Sequence, residues 1–310
     1  MSMENSLTLN KKKSVWKRIK SNVSSYVMIA PFGIFFILFW MIPVIGAIFL
    51  SFTSFNMLEL PVWAGLSNYQ RMLLEDDVFF TVLSNTIVFA VVTGPLGYIF
   101  SFFFAWLIND MGRILRPIFT FFFYAPTLAG ATYMVWTFLF SNNQYGFLNG
   151  TLMNLGLISE PVLWLSDETI VMYVIIIVQL WLSLGTGFLA FIAGFQSMDK
   201  SLFEAGAIDG VKNRWQELRY ITIPQMAPQL MFSAVMQISA TFAVGDIIMA
   251  LAGSPTTNYA ADVLVTYMKD LSTVRFELGY ACTVATFLFI LMIILNNIIT
   301  TVLRKYSTDD

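Results

Sequence analysis

Gln179, Ser183 and Thr186 fall at i, i+4 and i+7, and Ser233, Gln237 and Thr241 at i, i+4 and i+8, so a helix through either set gathers its amide and hydroxyl groups on one side. Uncharged donors and acceptors in that arrangement can hold a neutral polyhydroxyl ligand, or they can bond one helix to another. Trp181 and Phe188 offer ring faces for sugar stacking and, equally, ordinary packing surface. Other chemistry is sparse. The chain has no histidine and one cysteine, Cys282, which reads as a small apolar filler. With no His-Glu-x-x-His, no Gly-x-Ser-x-Gly and no paired carboxylates in apolar segments, the familiar metalloprotease, serine hydrolase and aspartyl dyad chemistries have no residues to run on. Asp246 is the only acidic residue inside the apolar helices drawn below, near the end of the fifth, and reads as an interfacial carboxylate reaching water or as a gating group.

The elements that must position these groups are membrane spans. Of 310 residues, 57% are hydrophobic, 16% aromatic and only 12% charged, with a mean hydropathy of +0.72. A soluble domain carries about 25% charged residues. The balance of 17 basic against 19 acidic residues leaves no footprint for nucleic acid. A charge at the bilayer centre costs roughly 2.5 to 3.5 kcal/mol, so charge-free runs count the spans. Six are long enough: Ser21 to Leu58, Val78 to Asn109, Pro117 to Ser159, Thr169 to Met198, Tyr220 to Gly245 and Leu278 to Leu303. The third is too long for one helix; its part from Ser141 onward is rich in Asn and Gly, which predicts a helix ending near Phe140 and a loop beyond. The apolar stretch Val27 to Leu50 is longer than the core of a signal peptide and lacks a small-residue cleavage site, so it is expected to remain as the first helix. The expected layout is an all-α polytopic protein: a basic amino-terminal segment 1–25, a six-helix domain 26–303 and a tail 304–310.

Basic residues in short flanking loops stay cytoplasmic. Lys11, Lys12, Lys13, Lys17, Arg18, Lys20, Arg113, Arg116, Lys200, Lys212, Arg214, Arg219, Arg304 and Lys305 fall on one side, and only Arg71, Lys269 and Arg275 on the other. Both termini and the loop 196–225 are therefore expected in the cytoplasm.

That loop carries helix signals of its own. Ser201 followed by Glu204 forms a capping-box pattern, and Gly210 suits the left-handed residue that ends a helix. A second short helix is expected from Asn213 to about Tyr220, with Pro224 returning the chain to the bilayer. A helix this short is not stable alone and must lie on another surface. Two surfaces suit it: the membrane boundary, or a partner protein approaching the small residues Ala205, Gly206 and Ala207 between the charges of Glu204 and Asp209.

Glu204-Ala-Gly-Ala-Ile-Asp209-Gly210 followed by Ile221-Thr-Ile-Pro224 resembles the signature of binding-protein-dependent ATP-binding-cassette import permeases, in which Glu-Ala-Ala is followed by Gly and then Ile-x-Leu-Pro. Gly194-Phe-Gln196-Ser197, Trp63-Ala-Gly65-Leu66-Ser-Asn68-Tyr69 and Asn85-Thr86 are similar to the sugar-importing branch. Two positions depart: Gly206 stands for the second Ala, and Ile223 for Leu.

The resemblance implies a type I importer permease fold, an unlike second permease with this chain as the larger-type member, two ATPase subunits and an extracellular substrate-binding protein. It also implies that Ser201, Glu204, Ala205, Gly206, Ala207, Asp209, Gly210 and Pro224 form the ATPase-coupling element, and that the helices flanking the loop form the substrate path. The residues agree in one respect: the chain has no Gly-x-x-x-x-Gly-Lys-Ser/Thr loop, so ATP and magnesium are expected on the partner ATPase and no cofactor on this chain. A secondary carrier is the alternative class, but neither paired half-helices nor coupling carboxylates are evident. No Lys or Arg lies within the six runs, which favours a neutral mono- or oligosaccharide over glycerol phosphate, the runner-up.

Overall fold

The computed structural model describes residues 22–128, 132–242 and 244–308, with side chains to 302; the six basic residues of the amino-terminal segment lie outside them. The chain divides into two compact units, 1–49 and 50–310. The described part of the first is helix α1 (Val23–Leu50), apolar on every side, as a span bathed in hydrocarbon must be.

The second unit is helical apart from a two-residue pairing of β1 (Thr53–Ser54) with β2 (Val62–Trp63). In order follow α2 (Ser67–Leu74), α3 (Asp77–Asn109), α4 (Leu115–Leu128), α5 (Thr132–Leu139), α6 (Phe147–Asn154), α7 (Val171–Leu182), α8 (Thr186–Ser197), α9 (Lys200–Ile208), α10 (Arg214–Glu217), α11 (Ala227–Phe242), α12 (Gly245–Leu251), α13 (Leu264–Thr273) and α14 (Leu278–Thr308). Among the described residues four stretches are long and apolar enough to cross a membrane: α1, α3, Val171–Ser197 across α7 and α8, and Leu278–Val302. The pairs α4 with α5, inclined by 84°, and α11 with α12, inclined by 43°, bring the count to six if each is one span. The charge-free runs thus predicted the spans but not their bends.

Helix α3 joins three apolar clusters. Phe79 and Val82 pack with Leu264, Tyr267 and Leu271 of α13; Phe89 packs with the cluster of α7 and α12; Ala105 and Ile108 pack with Phe188, Phe191 and Phe195 of α8. Its buried stripe includes Thr93, Gly97, Ser101 and Ala105, small residues four apart that let neighbouring backbones approach closely.

One stretch departs from expectation. The segment expected to be loop after Phe140 contains α6. Its Asn149 is fully buried, with its amide nitrogen 3.0 Å from the carbonyl oxygens of both Ser141 and Val162. Its carbonyl accepts from Val162 N at 3.1 Å and Trp164 Nε1 at 2.9 Å. These distant partners override a composition that by itself reads as a turn.

Candidate functional site

Two loci hold the candidate residues, the loop between α8 and α11 and the polar layer inside the bundle.

In the loop, α9 begins two residues earlier than the Ser201 capping box predicts. Asp199 is the N-cap, its carboxylate accepting from Ser201 N at 2.9 Å. That bond, with a second from the Ser201 hydroxyl, holds the Asp199 carboxyl below its ordinary range. The carboxylate also meets the positive end of the helix dipole, which a neutral serine hydroxyl does not exploit. Ser201 lies inside the first turn and Glu204 is exposed rather than folded back on the cap. The far end is as expected: Gly210 has φ +96°, Val211 N donates to Gly206 O at 2.9 Å and Gly210 N to Ala207 O at 3.4 Å, the double bond pattern that closes a helix with a left-handed residue.

Helix α9 packs by one side only. Phe203 and Gly206 face inward, whereas Glu204, Ala205, Ala207 and Asp209 are exposed and Ile208 is 86% exposed. Space at Gly206 is small: a Cβ there comes within 2.6 Å of Ile221 Cδ1. The second short helix starts at Asn213, whose side chain accepts from Gln216 N at 2.9 Å, and it continues beyond the expected end as a π turn, Leu218–Thr222, before Pro224 leads toward α11. Arg214 forms an ion pair with Asp110, the residue after α3, and lies 5.4 Å over the ring of Trp106. Together Trp106, Asp110, Phe195, Phe203, Arg214 and Leu218 enclose a hollow of about 220 Å³ beneath the loop.

In the polar layer the two sets fare differently. Ser233, Gln237 and Thr241 lie on one unbroken helix, α11, and all three are buried. Gln179, Ser183 and Thr186 do not share a helical face, because the span is interrupted at Ser183 to Gly185; Gln179 and Ser183 are buried and Thr186 is exposed. Gly97 brings the sets together: a Cβ on it comes within 2.5 Å of Gln237 Nε2 and 2.9 Å of Ser183 Cβ. Gln237 Nε2 donates to Thr93 O at 3.4 Å, Ser233 Oγ to Gly187 O at 2.9 Å and Thr241 Oγ1 to Gln237 O at 2.8 Å. In this conformation Gln237 and Ser233 tie α11 to other helices, while Thr241 bonds back to its own. Gln237 and Thr241 also line a cavity of about 340 Å³ with Gly94, Tyr98, Phe242 and Leu295. Phe188 is wholly buried, so it packs; Trp181 is 40% exposed and meets Trp136 edge-on at 5.2 Å.

At the end of the bundle opposite the loop, Arg71, Lys269 and Arg275 are each paired, with Glu277 at 2.9 Å, Asp246 at 2.6 Å and Asp270 at 2.8 Å. The Asp246 side chain is 75% exposed. Sequence reasoning missed Asp76, which caps α3 through Phe79 N at 3.0 Å and accepts the hydroxyls of Tyr267 at 2.6 Å and Tyr280 at 2.5 Å. The signal was present, since Asp76 immediately precedes a charge-poor run. No Asp, Glu, His or Cys cluster among the described residues could hold a metal ion.

The profile of the binding-protein-dependent transport system inner membrane component matches residues 97–308, from the close-approach glycine of α3 through the loop to the last helix. The chain belongs to this family. It is a multi-pass component of the inner membrane. Curated relatives match most of its length. The probable ABC transporter permease protein YesP of Bacillus subtilis is 32% identical over 93% of this chain and 92% of its own. The lactose transport system permease protein LacF of Rhizobium radiobacter is 27% identical over 89% and 92%. The arabinooligosaccharides transport system permease protein AraP of Bacillus subtilis is 25% identical over 92% and 90%. Among solved structures, a bacterial ABC transporter involved in the import of the acidic polysaccharide alginate has a chain of the same fold, with a TM-score of 0.79 at 23% identity over 96% of this chain and 100% of that one.

Proposed function

We propose that this permease is the larger of two unlike membrane subunits in an ATP-driven importer of neutral saccharides. Its termini and loop 196–225 face the cytoplasm, and α9 seats in a cleft of a separate ATPase. The observation that carries this reading is α9 itself. It is capped at both ends and anchored below by Phe203 and Gly206, yet presents Ala205, Ala207 and the 86% exposed Ile208 outward beside Glu204 and Asp209. A small-residue face flanked by carboxylates suits close approach by a basic cleft, and closure of two such clefts on nucleotide would swing the bundles between inward and outward states. A binding protein outside would deliver cargo.

Neutral saccharide cargo is supported by the lack of Lys or Arg in the spans, by the amides and hydroxyls of Gln179, Ser183, Thr186, Gln237 and Thr241, and by the lactose and arabinooligosaccharide transport systems of the named relatives. An anionic solute such as a phosphorylated polyol or an acidic saccharide is the second reading, favoured by the alginate importer of like fold. The test is uptake by the reconstituted complex of both permeases, ATPases and binding protein, comparing lactose, maltose and arabinooligosaccharides with glycerol phosphate and oligouronates. Neutral solutes alone should compete. Transport confined to anions, or unaltered uptake by Ser183→Leu and Gln237→Leu, would reverse the cargo assignment.

A further inference from the structure

The interruption between α7 and α8 is built rather than frayed. Where a membrane helix breaks, the carbonyls it releases have no water to turn to and must find donors inside the protein. Here they do so on two other helices. Ser101 Oγ of α3 donates to Ser183 O at 3.1 Å, and Thr127 Oγ1 of α4 donates to Leu184 O at 3.2 Å. Ser183 itself turns its hydroxyl back to Leu180 O at 2.6 Å, and Gly185 N closes on Ser183 O at 2.8 Å. Ser101 is 2% exposed, on the small-residue stripe beside Gly97. A serine hydroxyl in that position has no alternative partner in water, so its donor is committed to the break.

What hangs from the break gives it consequence. Helix α8 runs twelve residues, Thr186–Ser197, and only Met198 and Asp199 separate it from α9. Any tilt of α9 is therefore delivered along a rigid rod to Gly185. Above the break, α7 belongs to the apolar cluster that contains Ile247 and Ile248 of α12; below it, α8 belongs to the cluster of Ala105, Ile108 and Met226. The two halves of one span are thus seated in different apolar clusters, each against a different stretch of α3.

We propose that Ser183 to Gly185 is a hinge in the fourth span, and that Ser101 and Thr127 are positioning residues whose hydroxyls latch it in the state seen here. This rests on the reading of α9 as the ATPase-coupling helix. When α9 moves, α8 pivots while α7 stays with α12, and the two hydroxyl bonds are exchanged or stretched. Helix α8 is about 18 Å long at 1.5 Å per residue, so a pivot of about 20° moves its loop end by about 6 Å.

The complete complex, carrying Cys282→Ala, allows spin labels to be placed at residue pairs 91 and 177, and 91 and 196, for distance measurement without nucleotide and after trapping with ADP and vanadate. The hinge predicts a shift of several ångströms between 91 and 196 and none between 91 and 177; a shift in the 91 and 177 pair alone would overturn it. Equal shifts in both, or no shift in either while the complex hydrolyses ATP, would overturn it. In Ser101→Ala combined with Thr127→Val the nucleotide-free distribution of the moving pair should broaden, whereas Thr127→Ser should restore it; a double variant with the wild-type distribution would remove the latch. Failure of the ATPase to bind the complex through α9 overturns the coupling reading instead, and is seen separately by pull-down.

Discussion

Arg214, at the start of α10, pairs with Asp110, the C-cap of α3, so the loop that bears α9 is tied by charge to the longest helix in the described structure. A carboxylate at a helix C-terminus meets the negative end of the dipole, and the guanidinium offsets that cost. Both side chains are partly in solvent, 53% and 33% exposed, so their coupling should be modest, about 0.2 to 1 kcal/mol by double-mutant cycle. Arg214→Ala should destabilise more than Asp110→Asn, because it also removes the contact over Trp106 and leaves the carboxylate at the dipole's wrong end. Thermal unfolding in detergent reads both.

Ile221 packs over Gly206 under α9, where a Cβ would come within 2.6 Å of its Cδ1. Gly206→Ala gains up to about 1 kcal/mol of helix propensity, but its methyl must displace the flexible end of Ile221, so stability should change little. Gly206→Leu has no such escape and should lift α9 off the bundle. ATPase pull-down should be near normal in the first, weak in the second, and the combination Gly206→Ala with Ile221→Val should bind at least as well as the parent.

Glu204 is exposed and Gly210 sits at φ +96°, so they test different things. Glu204→Lys should leave the fold intact while weakening ATPase association. Gly210→Val should penalise the helix end by roughly 1 kcal/mol or more and lower association and transport together. If both variants bound and transported normally, α9 would not be the docking element.

At the opposite end, burial first, and then its hydrogen bond to Asp76, pushes the Tyr267 hydroxyl above its ordinary value of 10.0. A group whose proton is held more tightly in the folded state contributes stability that is complete below its unfolded value and lost as pH climbs toward its folded one. Unfolding temperature should therefore hold steady from neutrality to about pH 10 and fall beyond it. Tyr267→Phe should shallow that alkaline fall and cost on the order of 1 kcal/mol at neutral pH. An identical alkaline profile in the variant would dissociate the two.

The sequence alone determined whatever depends on neighbours along the chain. Spans were legible because each charge in hydrocarbon carries its cost wherever the segment packs, and the end of α9 was legible because Gly210 answers a local backbone demand. The existence of a helix between Ser201 and Gly210 followed the same way, although Asp199 rather than Ser201 proved to cap it, since two good caps two residues apart differ only in how the chain enters. Tertiary structure decided the rest. Helix α6 forms in an Asn- and Gly-rich stretch because Asn149 finds partners in Val162 and Trp164. Gln179 and Thr186 part company because Ser101 and Thr127, from two other helices, supply the donors that make a break between them tolerable. No periodicity in the fourth span could reveal a break whose hydrogen bonds are completed elsewhere.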